Sequence, residues 1–131
     1  MTRSVLIVDD DAGVRKGLQR LLRTMPHLLV LGEACDGEEA VRLTLERQPS
    51  VVLMDIAMPR IDGLEATRRI RLNAPNIRVL IVTADTRADL LQKSFEAGAD
   101  GFLSKFALAD ELPRALAAMD AGMRFISPCV E

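Results

Sequence analysis

Two short apolar runs, each closed by acidic residues, constrain the fold of this chain more than any other feature. Residues 5–8 (Val-Leu-Ile-Val) are followed by three aspartates at positions 9–11, and residues 51–54 (Val-Val-Leu-Met) are followed by Asp55. Continuous apolar runs of this length are typical of strands buried on both faces of a parallel sheet. The acids then lie at carboxyl ends of strands, where open α/β sheets bind ligands. Because crowded carboxylates repel one another, this pattern predicts a site for a hard cation such as Mg²⁺.

The rest of the chain alternates between strand and helix patterns. Short, mostly apolar runs predict five strands, at 5–8, 28–31, 51–54, 77–82 and 101–104. Helical spacing of apolar residues and helix-start patterns predict a helix after each strand, at about 14–22, 36–47, 62–72, 86–97 and around 112–119. When strands and helices alternate strictly, the connections between parallel strands are right-handed crossovers. We therefore expect an α/β fold with a doubly wound, five-stranded parallel sheet and helices on both faces.

Several residues mark where these helices begin and end. Asp36 and Asp62 each precede a helix and have Glu three residues later, the capping-box pattern. Asp11 is interpreted as the cap of the first helix rather than as a metal ligand. In the last helix Pro113 is expected only in the first turn, and Gly122 is expected at the carboxyl-terminal cap.

Length and composition exclude several classes of protein. A chain of 131 residues fits one domain. Its net charge is −2 with basic and acidic residues interspersed, so it lacks the clustered basic charge that is typical of nucleic-acid binding. No apolar run approaches the ~20 residues that span a bilayer, so a cytoplasmic location without membrane association is expected. Cys35 and Cys129 lack a metal-ligand spacing and are interpreted as plain thiols. The single histidine, His27, follows Pro26 in a loop, which argues against histidine-based catalysis.

Two more residues end predicted strands at the same edge as the acids. Thr83 follows residues 78–82, and Lys105 follows residues 102–104. The fold would bring this hydroxyl and this ammonium to the carboxylates. Phosphoryl transfer needs a nucleophile, a divalent cation and donors to the phosphoryl oxygens, and Asp55 is the candidate nucleophile.

At this point the chain resembles, over nearly its whole length, the receiver domain of bacterial two-component response regulators, the CheY-like family. The motifs that carry the resemblance are residues 6–11, 52–59, 62–63, 82–84 and 98–105. Each motif alone is weakly specific, whereas their order and spacing together are highly specific. The resemblance implies a flavodoxin-like sheet with strand order 2-1-3-4-5.

The same resemblance implies roles for the acidic residues. Asp55 would accept a phosphoryl group from a phosphohistidine on a sensor histidine kinase. Asp10 and Asp55 would ligate Mg²⁺ together with the backbone carbonyl of Ala57, and Asp9 would act through a coordinated water. The domain would be regulatory rather than an enzyme, catalysing only its own phosphorylation and slow self-dephosphorylation.

The remaining site residues would hold the phosphoryl group and transmit the signal. Thr83 and Lys105 would bind phosphoryl oxygens, and Thr83 would act with Phe102 as a switch. Phenylalanine lacks the phenolic hydroxyl of the tyrosine often found there, so its inward rotamer gains no hydrogen bond.

The resemblance also bears on the rest of the molecule. Residues 1–122 would form the receiver, and residues 123–131 resemble the start of the linker in LuxR/NarL-type transcription regulators. DNA would be contacted only through a further carboxyl-terminal domain, and phosphorylation would favour a homodimer. The alternatives are a stand-alone receiver that shuttles phosphate and a phosphate-independent pseudo-receiver that works as a binding module.

Rival classes fit the sequence less well. A haloacid-dehalogenase-type phosphatase needs a second aspartate two residues after the nucleophile, where this chain has Ala57. A flavodoxin-like FMN protein needs a hydroxyl- and glycine-rich phosphate loop after the first strand, where the aspartates at 9–11 would repel the phosphate.

Overall fold

Six parallel strands form one sheet, in the order β2-β1-β3-β4-β5-β6. The computed structural model describes residues 3–128. The strands are β1 Arg3–Val8, β2 Leu28–Ala34, β3 Val51–Met54, β4 Arg78–Thr83, β5 Gly101–Ser104 and β6 Phe125–Ile126. The helices are α1 Ala12–Arg23, α2 Gly37–Arg47, α3 Gly63–Asn73, α4 Ala88–Glu96 and α5 Leu108–Asp120.

The sheet separates two apolar layers. Along β1, Leu6 and Val8 pack into the layer that contains residues of α2, α3 and α4, whereas Val5 and Ile7 pack into the layer formed with α1 and α5. Successive side chains of a strand point to opposite faces, so both faces of the sheet are covered. The expectation of helices on both faces is confirmed.

Aspartate side chains begin three of the five helices. The side chains of Asp11, Asp36 and Asp62 accept hydrogen bonds from backbone N–H groups two or three residues later, at the starts of α1, α2 and α3. These caps confirm the sequence predictions. The N-cap of α4, Arg87, makes no such hydrogen bond, and α4 begins at Ala88 rather than near residue 86.

A sixth strand corrects the five-strand prediction. Phe125–Ile126, within the segment expected to be linker, pairs in parallel with β5. Gly122 ends α5 with a φ of +76°, which favours glycine, and its N–H donates to the carbonyl of Met119 (3.0 Å). The N–H of Met123 donates to the carbonyl of Ala118 (2.9 Å). These two bonds form a Schellman motif that redirects the chain toward the edge of β5.

The expectation for Pro113 was wrong. Helix α5 begins at Leu108, directly after a 3₁₀ turn at Lys105–Ala107, so Pro113 lies in the second turn. The missing proline N–H would have served the carbonyl of Ala109. Ala109 is exposed, so water can satisfy that carbonyl.

Two smaller expectations concern the membrane and the cysteines. No helix among residues 3–128 is long and apolar enough to cross a membrane. Cys35 is exposed with a free thiol, and Cys129 lies outside the described residues.

Candidate functional site

Three carboxylates converge at the carboxyl edge of the sheet. Strands β1 and β3 are neighbours, and the N–H of Asp55 donates to the carbonyl of Val8 (3.0 Å), which places Asp55 beside Asp9. One carboxylate oxygen from each of Asp9, Asp10 and Asp55 lies within 4.8 Å of the other two. Asp9 and Asp55 are buried, with 2% and 6% of their surface exposed, whereas Asp10 is exposed. The sequence prediction that these acids meet is confirmed.

The ammonium of Lys105 bridges the two buried carboxylates. Lys105 follows β5, and its Nζ lies 2.7 Å from Oδ2 of Asp9 and 3.3 Å from Oδ2 of Asp55. Strand β4 separates β5 from β3, so the long lysine side chain spans that strand to reach the acids. Residues almost a hundred positions apart in the sequence are thus in direct contact.

Burial and charge shift the pKa values of this cluster. Burial, and then the charge of Asp9, raise the pKa of Asp55, while Lys105 and the N–H of Ile56 act in the opposite direction. Burial alone would lower the pKa of Lys105, but its hydrogen bond to Asp9 and the charge of Asp55 raise it. Lys105 therefore remains cationic, but its charge does not fully offset the effect of burial on the pKa of Asp55.

Backbone groups fix the orientation of the carboxylates. Oδ1 of Asp55 accepts from the N–H of Ile56, and Oδ1 of Asp9 accepts from the N–H of Asp11, both at 2.9 Å. The guanidinium of Arg15 donates to the backbone carbonyl of Asp9 (2.6 Å). Preorganised carboxylate oxygens are the ligands that Mg²⁺ prefers, so the donor set fits that ion.

The other predicted site residues lie on β4 and β5 and in the loop after β3. Ala57 is exposed in the loop that follows Asp55. Thr83 ends β4 beside Ser104, is 4% exposed, and its Oγ1 accepts from the N–H of Asp85 (3.1 Å). Phe102 is fully buried in the apolar layer beneath α2, α3 and α4. The hydroxyl of Thr83 is thus engaged by the loop before α4, and the ring of Phe102 points inward.

A close backbone contact next to Asp55 was missed in the sequence. The N–H of Gly63 donates to the carbonyl of Ile56 (2.8 Å), and a Cβ at position 63 would lie 1.9 Å from the carbonyl oxygen of Asp55. A Cβ at Gly37 would lie 2.2 Å from the carbonyl oxygen of Ile61. The loop between β3 and α3 is therefore held between two glycine-bearing helix starts. The glycines directly after Asp36 and Asp62 are the sequence signal that marks these contacts.

The sequence of this chain matches one protein family and is similar to curated proteins of known name. The family model described as the response regulator receiver domain matches residues 5–117. The response regulator GacA of Pseudomonas aeruginosa is 42% identical over 124 residues, which are 95% of this chain and 58% of GacA. UvrY of Escherichia coli, also a response regulator, is 40% identical over 95% of this chain and 57% of its own length.

Solved structures give the same picture. A crystal structure of a LuxR-family two-component response regulator from Aurantimonas sp. SI85-9A1 superposes with a TM-score of 0.94 at 40% identity, covering 99% of this chain and 93% of that one. The receiver domain of the putative response regulator NarL from Mycobacterium tuberculosis superposes with a TM-score of 0.87 at 30% identity, covering 92% of this chain and 98% of that one. The chain spans a little more than half the length of the curated relatives GacA and UvrY.

Proposed function

The chain belongs to the response regulator receiver domain family of two-component systems, and on this basis we propose that Asp55 is its phosphoacceptor. The observation that carries the proposal is the contact of Asp9, Asp10, Asp55 and Lys105 at one edge of the sheet. Asp55 is the buried carboxylate at the end of the central strand β3. Burial, and then the charge of Asp9, raise the pKa of this carboxylate.

The transfer is a substitution at phosphorus. The phosphohistidine of a sensor histidine kinase, or a small acyl phosphate, donates the phosphoryl group. One oxygen of Asp55 forms the new O–P bond as the P–N or P–O bond of the donor breaks, and the donor atom keeps the electron pair. Hydrolysis by water later returns the carboxylate and inorganic phosphate. Because the residues position charge rather than exchange protons, electrostatic stabilisation is the main contribution of the protein.

Mg²⁺ is the cofactor that the carboxylates fit. Asp10 and Asp55 would ligate it directly together with the backbone carbonyl of Ala57, and Asp9 would bind it through a water. When bound, the ion neutralises charge on the phosphoryl oxygens. The two buried acids share one lysine ammonium, so the cluster retains negative charge that favours a cation.

Lys105 and Thr83 are proposed to bind the phosphoryl oxygens. Lys105 already lies 3.3 Å from Oδ2 of Asp55, so its ammonium needs only to exchange one oxygen partner for another. Thr83 would have to release the N–H of Asp85, which now donates to its hydroxyl. This exchange, together with the buried ring of Phe102, is the proposed switch.

Mass spectrometry of the intact protein tests the proposal. The chain and its Asp55→Asn variant are incubated with acetyl phosphate in Mg²⁺ or in EDTA. One phosphoryl adduct that requires Mg²⁺ and is absent from the variant is the expected result. Asp110→Asn, which changes an exposed aspartate on α5, is the matched control and should retain the adduct. An adduct that persists in Asp55→Asn would refute the assignment.

The output of the whole protein is also a proposal. We propose that the whole protein regulates transcription through a DNA-binding domain beyond the receiver, with a sensor histidine kinase as the donor and dimerisation on phosphorylation. Similar structures of LuxR-family response regulators, one of which is described as DNA-binding, support the proposed output. A stand-alone phosphate shuttle and a phosphate-independent binding module are the alternatives. Phosphotransfer from Asp55 to a histidine phosphotransfer protein would favour the shuttle, and full function of the Asp55→Asn variant in cells would favour the binding module.

A further inference from the structure

Asp10 differs from the other two acids of the cluster in what holds its carboxylate. Asp9 and Asp55 each contact the ammonium of Lys105, and each accepts a hydrogen bond from a backbone N–H group. Asp10 is exposed, and among residues 3–128 its carboxylate has no hydrogen bond or ion pair. A side chain without such anchors can occupy several rotamers, so the position of this carboxylate depends mainly on the backbone that carries it.

The backbone that carries Asp10 is fixed by Arg15, near the start of α1. Nη1 of Arg15 donates to the carbonyl of Asp9 at 2.6 Å, and this carbonyl belongs to the peptide group that joins Asp9 to Asp10. Because a peptide group is planar, a bond to its carbonyl oxygen also restricts the N–H and Cα of the residue that follows. A charged donor makes this hydrogen bond stronger than one between neutral groups. The side chain of Arg15 therefore restrains the turn from β1 to α1 at the point where Asp10 leaves it.

Glu33 on the edge strand β2 orients the guanidinium of Arg15. Its Oε1 accepts from Nε of Arg15 at 2.9 Å, and its Oε2 accepts from the side-chain amide of Gln19, one helical turn further along α1, at 3.1 Å. Only 19% of the Arg15 side chain is exposed. The guanidinium is thus held between β2 and the turn after β1. The charge of Glu33 also offsets that of Arg15, which would otherwise oppose a cation bound nearby.

We propose that Arg15 is a positioning residue for the metal site, which holds the peptide between Asp9 and Asp10 so that the Asp10 carboxylate faces the other two acids. The inference rests on the proposed role of Asp10 as a ligand of Mg²⁺. Arg15 does not contact the ion and acts only through the backbone. Groups that orient metal ligands in this indirect way contribute about 10–100-fold to metal affinity.

Positioning and charge predict opposite effects when Arg15 is replaced. Removal of a positive charge near a cation site should by itself raise affinity for the cation. Loss of the hydrogen bond to the carbonyl of Asp9 should lower that affinity, because the ligand must then be ordered at the moment of binding. Arg15→Gln removes the charge and leaves a shorter polar side chain. The direction of the change in affinity therefore separates the two explanations.

Binding of Mn²⁺ tests the inference without any phosphodonor. Mn²⁺ prefers octahedral oxygen ligands as Mg²⁺ does, and the free ion is quantified by its electron paramagnetic resonance signal. At constant ionic strength, affinity is expected to fall about tenfold or more in Arg15→Gln. An affinity equal to or higher than that of the wild type, in a variant that circular dichroism shows to be folded, would overturn the inference.

Arg15→Lys provides a second variant that keeps the charge. A single ammonium cannot contact the carbonyl of Asp9 and the carboxylate of Glu33 in the fixed geometry of a guanidinium. Its affinity for Mn²⁺ should lie between those of the wild type and Arg15→Gln. Wild-type affinity in Arg15→Lys would refute the role of the guanidinium even if Arg15→Gln did not fold.

A double-mutant cycle with Asp10→Asn shows whether Arg15 acts through Asp10. In the Asp10→Asn background, Arg15→Gln should cause no further loss of Mn²⁺ affinity, because the residue through which it acts has already been changed. A further loss of tenfold would overturn the inference, since Arg15 would then act by another route. Wild-type affinity in Asp10→Asn alone would refute the proposed metal site and, with it, the inference.

The matched control for Arg15→Gln is Arg20→Gln. Arg20 is an exposed arginine on the same helix, so its replacement changes the net charge equally and leaves the bond to the carbonyl of Asp9 intact. Its affinity for Mn²⁺ should equal that of the wild type. A loss in Arg20→Gln as large as in Arg15→Gln would contradict the specific role of Arg15.

Discussion

Replacing Gly63 with alanine tests how tightly the start of α3 constrains the phosphoacceptor. A Cβ at position 63 would lie 1.9 Å from the carbonyl oxygen of Asp55 and 2.9 Å from Cα of Ile56. An ordinary contact begins near 3.4 Å, so the backbone must move by about 1.5 Å to admit a methyl group. These neighbours are backbone atoms, which cannot rotate away as a flexible side chain can.

Both stability and phosphorylation are therefore expected to fall in Gly63→Ala. Overpacking of this kind costs about 1–3 kcal/mol of unfolding free energy. The displaced atoms belong to the proposed nucleophile, and a misplacement of about 1 Å can cost roughly 100-fold in rate. The unfolding free energy is measured by urea denaturation followed by far-ultraviolet circular dichroism. The rate of adduct formation with acetyl phosphate is measured by intact mass.

The matched control is Gly17→Ala. Gly17 is exposed in the middle of α1, and a Cβ there meets nothing within 4 Å. Alanine should stabilise this helix by about 1 kcal/mol and leave the phosphorylation rate unchanged. The reasoning is refuted if Gly63→Ala matches the wild type in both measurements, or if Gly17→Ala is destabilised as strongly as Gly63→Ala.

Three further predictions concern charge and hydrogen bonding. Because burial raises the folded-state pKa of Asp55 above the unfolded value, Asp55→Asn should increase the unfolding free energy in EDTA at pH 7. This increase should shrink as the pH falls toward 3.8, where Asp55 becomes protonated in both states. Equal urea midpoints for the wild type and the variant at pH 7 would contradict the prediction. Mg²⁺ at 100 times its Kd should raise the unfolding free energy of the wild type by about 2.7 kcal/mol, and Asp10→Asn should reduce the gain measured at the same Mg²⁺ concentration. The guanidinium of Arg71 donates to the carbonyl of Gly98 and to the carboxylate of Asp100. Arg71→Lys should therefore lower the unfolding free energy measured in urea by about 1.5–3 kcal/mol. An unchanged value would show that a single ammonium can replace the several N–H donors of the guanidinium.

The parts of the fold that the sequence predicted are those governed by local patterns. Continuous apolar runs identified β1 and β3, and the acids that close them gave the carboxylate cluster without any knowledge of distances. Asp11, Asp36 and Asp62 marked helix starts because capping depends only on residues a few positions apart. Lys105 could be assigned to the same edge because every strand of a parallel sheet ends there.

The parts that the sequence did not predict depend on tertiary contacts. The sixth strand has only two residues, too few for an alternating pattern, and it exists because β5 offers an open edge and Gly122 redirects the chain. The position of Pro113 was misjudged because α5 grows directly from the 3₁₀ turn at Lys105–Ala107. The bridge between Lys105 and the two buried acids could not be inferred as a distance, since it depends on the packing of β3, β4 and β5.

The strand order has a consequence for how the chain assembles. Once β1 and β2 have paired, each later strand joins the same growing side of the sheet, because β3, β4, β5 and β6 lie outward from β1 in the order of the sequence. A chain that emerges from the ribosome amino terminus first can therefore add one strand at a time to an edge that already exists. The acidic cluster is complete once β3 has joined, its lysine arrives with β5, and the two residues of β6 close the edge last.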